Sequence, residues 1–252
     1  MSVGWDSPRT PELYERFNAR HGRYRDANEA LVAHAALAGD LVVLDVAAGT
    51  GRTTEAALAR LGDRAWIVCF EPARAMREAG QERLGDGRVS WTDELPSCGA
   101  YDRVLCGAAI WQLEIAPLAA RVAPGGALCF TIPALYLGEG EEPGGGEDPL
   151  LVELYARLAD GRVPQAQAGG PLPDVGSALA AAGLLPERWS FQRRITQAEL
   201  RDWLAIPPLT DALLPGLDPD QRLRALDEAY ADVDEGSWRW ERWHGWTAWR
   251  PS

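Results

Sequence analysis

Short apolar runs, each closed by a polar or small-residue turn, divide the first half of the chain, with helix-compatible stretches between them. The clearest begins at Val42-Val43-Leu44-Asp45-Val46, passes into Ala47-Ala48-Gly49-Thr50-Gly51, and continues as a helical pattern to Leu61. A second run, Ala65 to Phe70, ends in Glu71. Arg88 to Pro96 holds a third, Tyr101 to Trp111 a fourth with its following loop, and Ala123 to Ile132 a turn and a fifth. Buried strands that feed tight loops opening helices predict a doubly wound α/β sheet. Ahead of it, Pro11 to about Asn18 and Arg25 to Ala38 form helices, the second stopped at Gly39. Beyond the fifth strand, residues 150–160 and Asp174 to Ala182 are helical, Gly183 ends the latter, and Leu184 to Ile195 is a strand. Glu199 to Ala205 and Pro219 to Tyr230 are amphipathic helices separated by Pro207-Pro208 and Pro215. In the last segment Trp238 and Trp240 share one strand face. The later tryptophans, spaced by three, break the alternation, so Gly245 is expected to mark a bulge.

The loop after the first run carries the most chemistry. Gly49 and Gly51 admit backbone angles closed to other residues and let a ligand approach the main chain. A phosphate-cradling loop needs a Lys-Ser/Thr pair, and the chain contains no lysine. The dinucleotide fingerprint would start at Gly49, but Thr54 occupies its last position. Glu71, at the end of the second run, is placed to accept hydrogen bonds from both ribose hydroxyls of a nucleoside.

Asp45-x-Ala47-x-Gly49-x-Gly51, with Glu71 twenty residues on, resembles the first two motifs of class I S-adenosylmethionine (SAM) dependent methyltransferases. Ala47 stands where the family has its first glycine, a substitution compatible with the loop if Ala47 keeps a negative φ. The resemblance runs in register over roughly residues 40 to 133. It implies a Rossmann-like sheet of seven strands, the last antiparallel. Residues 1–40 would be a helical segment over the cofactor, and 41–252 the methyltransferase domain, with lid or cap insertions around 137–170 and 200–235. The cofactor would be SAM and the product S-adenosylhomocysteine. Its site would draw on Asp45, Ala47, Ala48, Gly49, Gly51, Glu71, Pro72, Met76, Thr92, Asp93, Ala108 and Tyr14. Trp91, five before Pro96, occupies the position where the family often places an acid or small polar residue. Trp111, Tyr136, Trp203 and Trp238 would line the acceptor pocket. His21, Tyr136, His244 and Glu114 are the titratable candidates for a general base, should one be required, and His34 is structural. The glycine-rich acidic loop at 138–149 is either a mobile lid or an insertion with no role.

Composition narrows the partners. The 252 residues are 46% hydrophobic, enough for one α/β domain with additions. A net charge of −12 disfavours nucleic acid, whose binding needs basic surface. It favours a small-molecule acceptor that is neutral, aromatic or cationic. The polar first residues and the lack of any long apolar run predict a cytoplasmic protein without a membrane span, a monomer or homodimer. Cys69, Cys98, Cys106 and Cys129 lack ligand-like spacing, which predicts reduced thiols and no metal. Methyl transfer in natural-product metabolism is the function implied. Open alternatives are a SAM-binding cyclase or decarboxylase and a peptide-modifying methyltransferase.

Overall fold

The computed structural model describes residues 3–97, 99–139, 142–145, 174–214 and 216–252. Half of the glycine-rich loop at 138–149, the helix expected at 150–160 and Cys98 lie outside the described residues. Strands β1 (Val42–Val46), β2 (Trp66–Phe70), β3 (Val89–Thr92), β4 (Tyr101–Cys106) and β5 (Val122–Pro133) run parallel. Two further long strands, β7 (Leu185–Thr196) and β8 (Trp238–Trp249), pair antiparallel with each other, and β8 also runs antiparallel to β5. The order is β3-β2-β1-β4-β5-β8-β7, with the short β6 (Glu142–Gly145) added to the start of β8. Strand order therefore reverses between β1 and β4, leaving a crevice beyond their carboxyl ends.

The core strands are continuous apolar runs because both sheet faces are covered. On one face Leu44, Val104, Leu128, Phe130 and Trp246 pack beneath α5 (Ile115–Ala119) and α6 (Val175–Ala181). On the other, Val43, Ile67, Leu105 and Cys129 meet Leu31 of α2 (Arg23–His34) and Ala57 of α3 (Arg52–Leu58). Cys69, Cys106 and Cys129 are buried free thiols. A third cluster joins distant parts of the chain. Phe17 of α1 (Arg9–Arg20) packs with Leu200 and Trp203 of α7 (Gln197–Leu204) and Leu226 of α9 (Pro219–Ala229). The N-terminal helix and the helices between β7 and β8 thus share one core.

Two expectations are corrected. Pro207-Pro208 does not separate helices but starts one, α8 (Pro207–Leu213), because proline suits the first helical turn, where its missing N–H is not needed. Gly245 marks no bulge: the β8 register against both β5 and β7 is unbroken through it. A Cβ at Gly245 would collide with the ring of Trp189, its direct partner on β7. That glycine makes room for an indole across the ladder. Among the described residues no helix is long and apolar enough to cross a membrane, and no His/Cys/Asp/Glu group could hold a metal.

Candidate functional site

The loop from β1 to α3 is built as a close-approach turn. Gly49 and Gly51 have φ of 57° and 81°. A Cβ on Gly49 would find only the Met76 methyl, at 3.6 Å, so the space above it is open. Gly51 has a different job. A Cβ there would strike Leu84 and crowd the Trp91 ring, so it lets α4 (Arg74–Arg83) and β3 close on the loop. Ala47 departs from the expected negative φ: it adopts +54°, the left-handed conformation of the glycine it replaces. Such a conformation costs an L-residue roughly 1–2 kcal/mol. Ala108, on the loop after β4, is held the same way at φ 56°.

Two acids frame this turn. Asp45 is fully buried. Its Oδ2 accepts a 2.6 Å hydrogen bond from Thr54 Oγ1, and its Oδ1 has no partner. Burial pushes its carboxyl up to about 7, outweighing the Thr54 hydrogen bonds. Glu71 is buried at the tip of β2. Its two oxygens accept, each at 2.8 Å, from the N–H groups of Gly49 and Ala73. Desolvation raises its pKa against the pull of those N–H groups. Each Glu71 oxygen keeps a second lone pair for a hydroxyl donor. One carboxylate therefore ties the glycine loop to the start of α4 and still presents acceptor capacity. Met76 is buried beside the loop, and Ala48 N–H is held by Phe70 O at 3.1 Å. Glu15 of α1 accepts from Thr50 Oγ1 at 2.5 Å and pairs with Arg52, latching the N-terminal helix to the same turn.

Other expected residues are arranged around it. Arg77 donates to the carbonyl of Glu71 at 2.7 Å and of Pro72 at 3.4 Å and reaches exposed Asp93 at 3.4 Å. Thr92 Oγ1 turns to Glu94 O at 3.0 Å, closing the end of β3. Tyr14 lies in the aromatic cluster of the third core, tilted against Tyr24 at 5.3 Å.

Beyond the end of β5 a cleft opens against the helical layer. Tyr136, Leu135, Ile195, Leu200, Trp203 and Trp240 form its apolar and aromatic wall. Trp111 stands behind Tyr136, stacked at 4.2 Å and 10°. Burial pushes the Tyr136 phenol up to about 12, so it is an O–H donor at neutral pH. Trp238 does not line the cleft; it meets Trp240 edge-on at 5.3 Å beneath Arg194. Among the titratable candidates, His21 bonds Asp202 at 2.9 Å at the end of α1, and Glu114 is exposed at the start of α5. His244 lies behind the cleft, its Nε2 2.8 Å from the cleft residue Glu139. His34 stacks on Trp189 at 4.1 Å, a packing role.

Sequence reasoning missed Thr54, Arg23, Glu139, Trp240 and Glu241 as site residues. For Thr54 a signal existed: it sits in the first turn of α3, where its hydroxyl can reach back to the strand tip. Arg23 and Glu241 are 218 residues apart and meet only through the return of β8, with Nη2 2.6 Å from Oε1.

No protein-family model matches the chain, and no curated protein does. Solved structures do. A protein from Bacillus halodurans C-125 described as a methyltransferase matches over 90% of this chain and 100% of its own, with a TM-score of 0.56 at 17% identity. The fold is that of class I methyltransferases. Within it, Haemonchus contortus phosphoethanolamine N-methyltransferase 2, solved with phosphomonomethylethanolamine and S-adenosylhomocysteine, matches 90% of this chain and 53% of its own (TM-score 0.50, 14% identity). The [4+2]-cyclase SpnF matches 88% of this chain and 80% of its own, with TM-score 0.50 and 16% identity. In the class I methyltransferase fold of this chain, β8 supplies the antiparallel strand and the Asp45–Glu71 turn occupies the reversal of strand order.

Proposed function

We propose that this protein transfers a methyl group from SAM to a small-molecule acceptor. The observation that carries the reading is Glu71, whose carboxylate binds the glycine loop at Gly49 while sitting at the tip of β2. That arrangement sets an acid and an open backbone turn side by side, as a nucleoside requires. Glu71 would take the ribose hydroxyls, Met76 and Pro72 the base, with Thr92 and Asp93 at its edge. The unpartnered Asp45 Oδ1, a buried acceptor lacking a donor, fits the amino end of the cofactor, directly or through water. Ala47, Ala48, Gly51 and Ala108 would shape the turn around it, with Tyr14 on the covering helix. When bound, SAM supplies an electrophilic methyl on its sulfonium.

The chain's own part is to align and enclose. Tyr136 and Trp203 in the cleft wall, with Trp111 stacked behind Tyr136, would hold a flat acceptor while the helical layer excludes water. Alignment alone supplies much of the rate for a substrate this reactive. Tyr136, as a neutral phenol, would position an acceptor heteroatom by donating to it.

Glu71→Ala tests the reading. Losing two charge-assisted hydrogen bonds should weaken SAM binding by roughly 2–4 kcal/mol, or about thirty- to a thousandfold. Calorimetry on the folded variant reads it, and near-native affinity would take Glu71 out of the site. The likeness to SpnF favours one second reading, a cyclase of the same fold. Methyl-labelled SAM separates the two, since only a transferase moves label into product.

A further inference from the structure

Thr50 lies between two glycines at positive φ, a pair that by itself leaves the turn free to take several shapes. Its shape is fixed by bonds from outside, and many of them converge on Thr50, which is only 1% exposed. Thr50 Oγ1 donates to Glu15 Oε1 of α1 at 2.5 Å, and its carbonyl accepts from Arg83 Nε of α4 at 2.9 Å. Glu15 is in turn set by Arg52, whose Nε donates to Oε1 at 3.3 Å and whose Nη2 pairs with Oε2. One residue of the turn is thus gripped between two helices.

The remaining contacts of α1 lead to the cleft beyond β5. Phe17 packs with Leu200 and Trp203 and meets the Tyr24 ring edge-on at 5.8 Å. Tyr24 Oη accepts from Trp203 Nε1 at 2.8 Å, and Trp203 is part of the cleft wall. At the end of α1, His21 Nε2 lies 2.9 Å from Asp202 Oδ2 on α7. About two turns of one helix, from Glu15 to His21, therefore join the glycine turn to the helix that carries the cleft wall.

Building on the methyl-transfer reading, we propose that Glu15 is a positioning residue for the cofactor turn and that α1 links the cofactor and acceptor sites. A nucleoside that orders the turn also fixes α1 through the Glu15–Thr50 bond, and α1 then steadies α7 and the Trp203 wall. Cofactor and acceptor therefore tighten each other's binding by the same factor, as linkage requires. Without Glu15 the buried Thr50 hydroxyl loses its acceptor, and Thr50 is held from the α4 side alone. Ordering the turn and the cleft wall then become separate events.

Calorimetry with S-adenosylhomocysteine and amide hydrogen exchange on the full chain test this. In the wild type, saturating S-adenosylhomocysteine should slow exchange in α1 and α7 by more than in α6, which packs in a different core. Glu15→Ala should weaken its binding at least about tenfold, the worth of one charge-assisted hydrogen bond. At saturation that variant should also lose the extra protection of α7. Glu15→Gln, which can still accept from Thr50, should bind within about threefold of wild type. A Glu15 that serves stability alone would lower the melting temperature and leave affinity and α7 protection unchanged, and that result would overturn the proposal. So would a wild type that binds S-adenosylhomocysteine with α7 no better protected than α6, which decides the matter even if Glu15→Ala fails to fold. Either outcome leaves the methyl-transfer reading standing. A wild type that binds no S-adenosylhomocysteine would sink that reading, and the coupling with it.

Discussion

Asp45 has one carboxylate oxygen bonded to Thr54 and the other without a partner, in a fully buried place at the tip of β1. Burial raises its carboxyl from the ordinary 3.8 to about 7. Between about pH 4 and 7 the unfolded chain has already released this proton while the folded chain keeps it. Stability from this group is therefore greatest near pH 4, falls as pH rises, and levels off above about 7. The full span corresponds to roughly 4 kcal/mol as an upper bound. Asp45→Asn, which can still accept from Thr54, should gain thermal stability relative to wild type as pH goes from 4 to 8. Melting curves of both proteins across that range check it, and a pH-independent offset would exclude the proton. At this scale the sequence is informative about residue type and silent about conformation. Asp45 and Glu71 stand out because each ends an apolar run. The positive φ of Ala47 is a conformation that its residue name does not announce.

Strand β8 shows how an element can hide its period. Trp240, Trp243, Trp246 and Trp249 are spaced by three, which in a strand sends successive rings to opposite faces. Trp246 stacks on Phe130 in one core, and Trp249 packs with Ala127 and Cys129 in the other. The broken alternation therefore reflects a strand buried on both sides, the same reason the parallel strands were legible as apolar runs. Gly245 belongs to this logic, since Trp189 fills the space above it, held by Thr247 at 3.2 Å and stacked on His34. Gly245→Ala should destabilise the fold by about 1–3 kcal/mol through overpacking. Pairing it with Trp189→Val should recover part of the loss. Denaturation midpoints of the two single variants and the double one measure the coupling, and simple additivity would mean that ring and glycine are independent.

At the scale of the molecule, helical layer and sheet are joined by buried charge. Arg193 on β7 meets Asp26 of α2 at 3.0 Å, Glu199 of α7 at 2.8 Å and Glu241 of β8 at 3.3 Å. Burial alone would raise Glu241, but Arg23 and Arg193 together hold it below the usual carboxylate range. Removing the shared cation strands several carboxylates at once, so Arg193→Met should cost about 3–5 kcal/mol. Breaking the exposed helix pair Arg74–Glu78 should leave the melting temperature essentially unchanged. Thermal denaturation of the two variants compares them directly, and similar losses would mean that the network holds nothing together. The strand that bears Glu241 also sets the order of assembly. Because β8 lies between β5 and β7 yet follows both in the chain, each keeps an open edge during synthesis until the last tryptophans emerge. The sheet can be completed only after nearly all of these residues have left the ribosome, and until then the growing chain carries two strand edges that other chains could pair with.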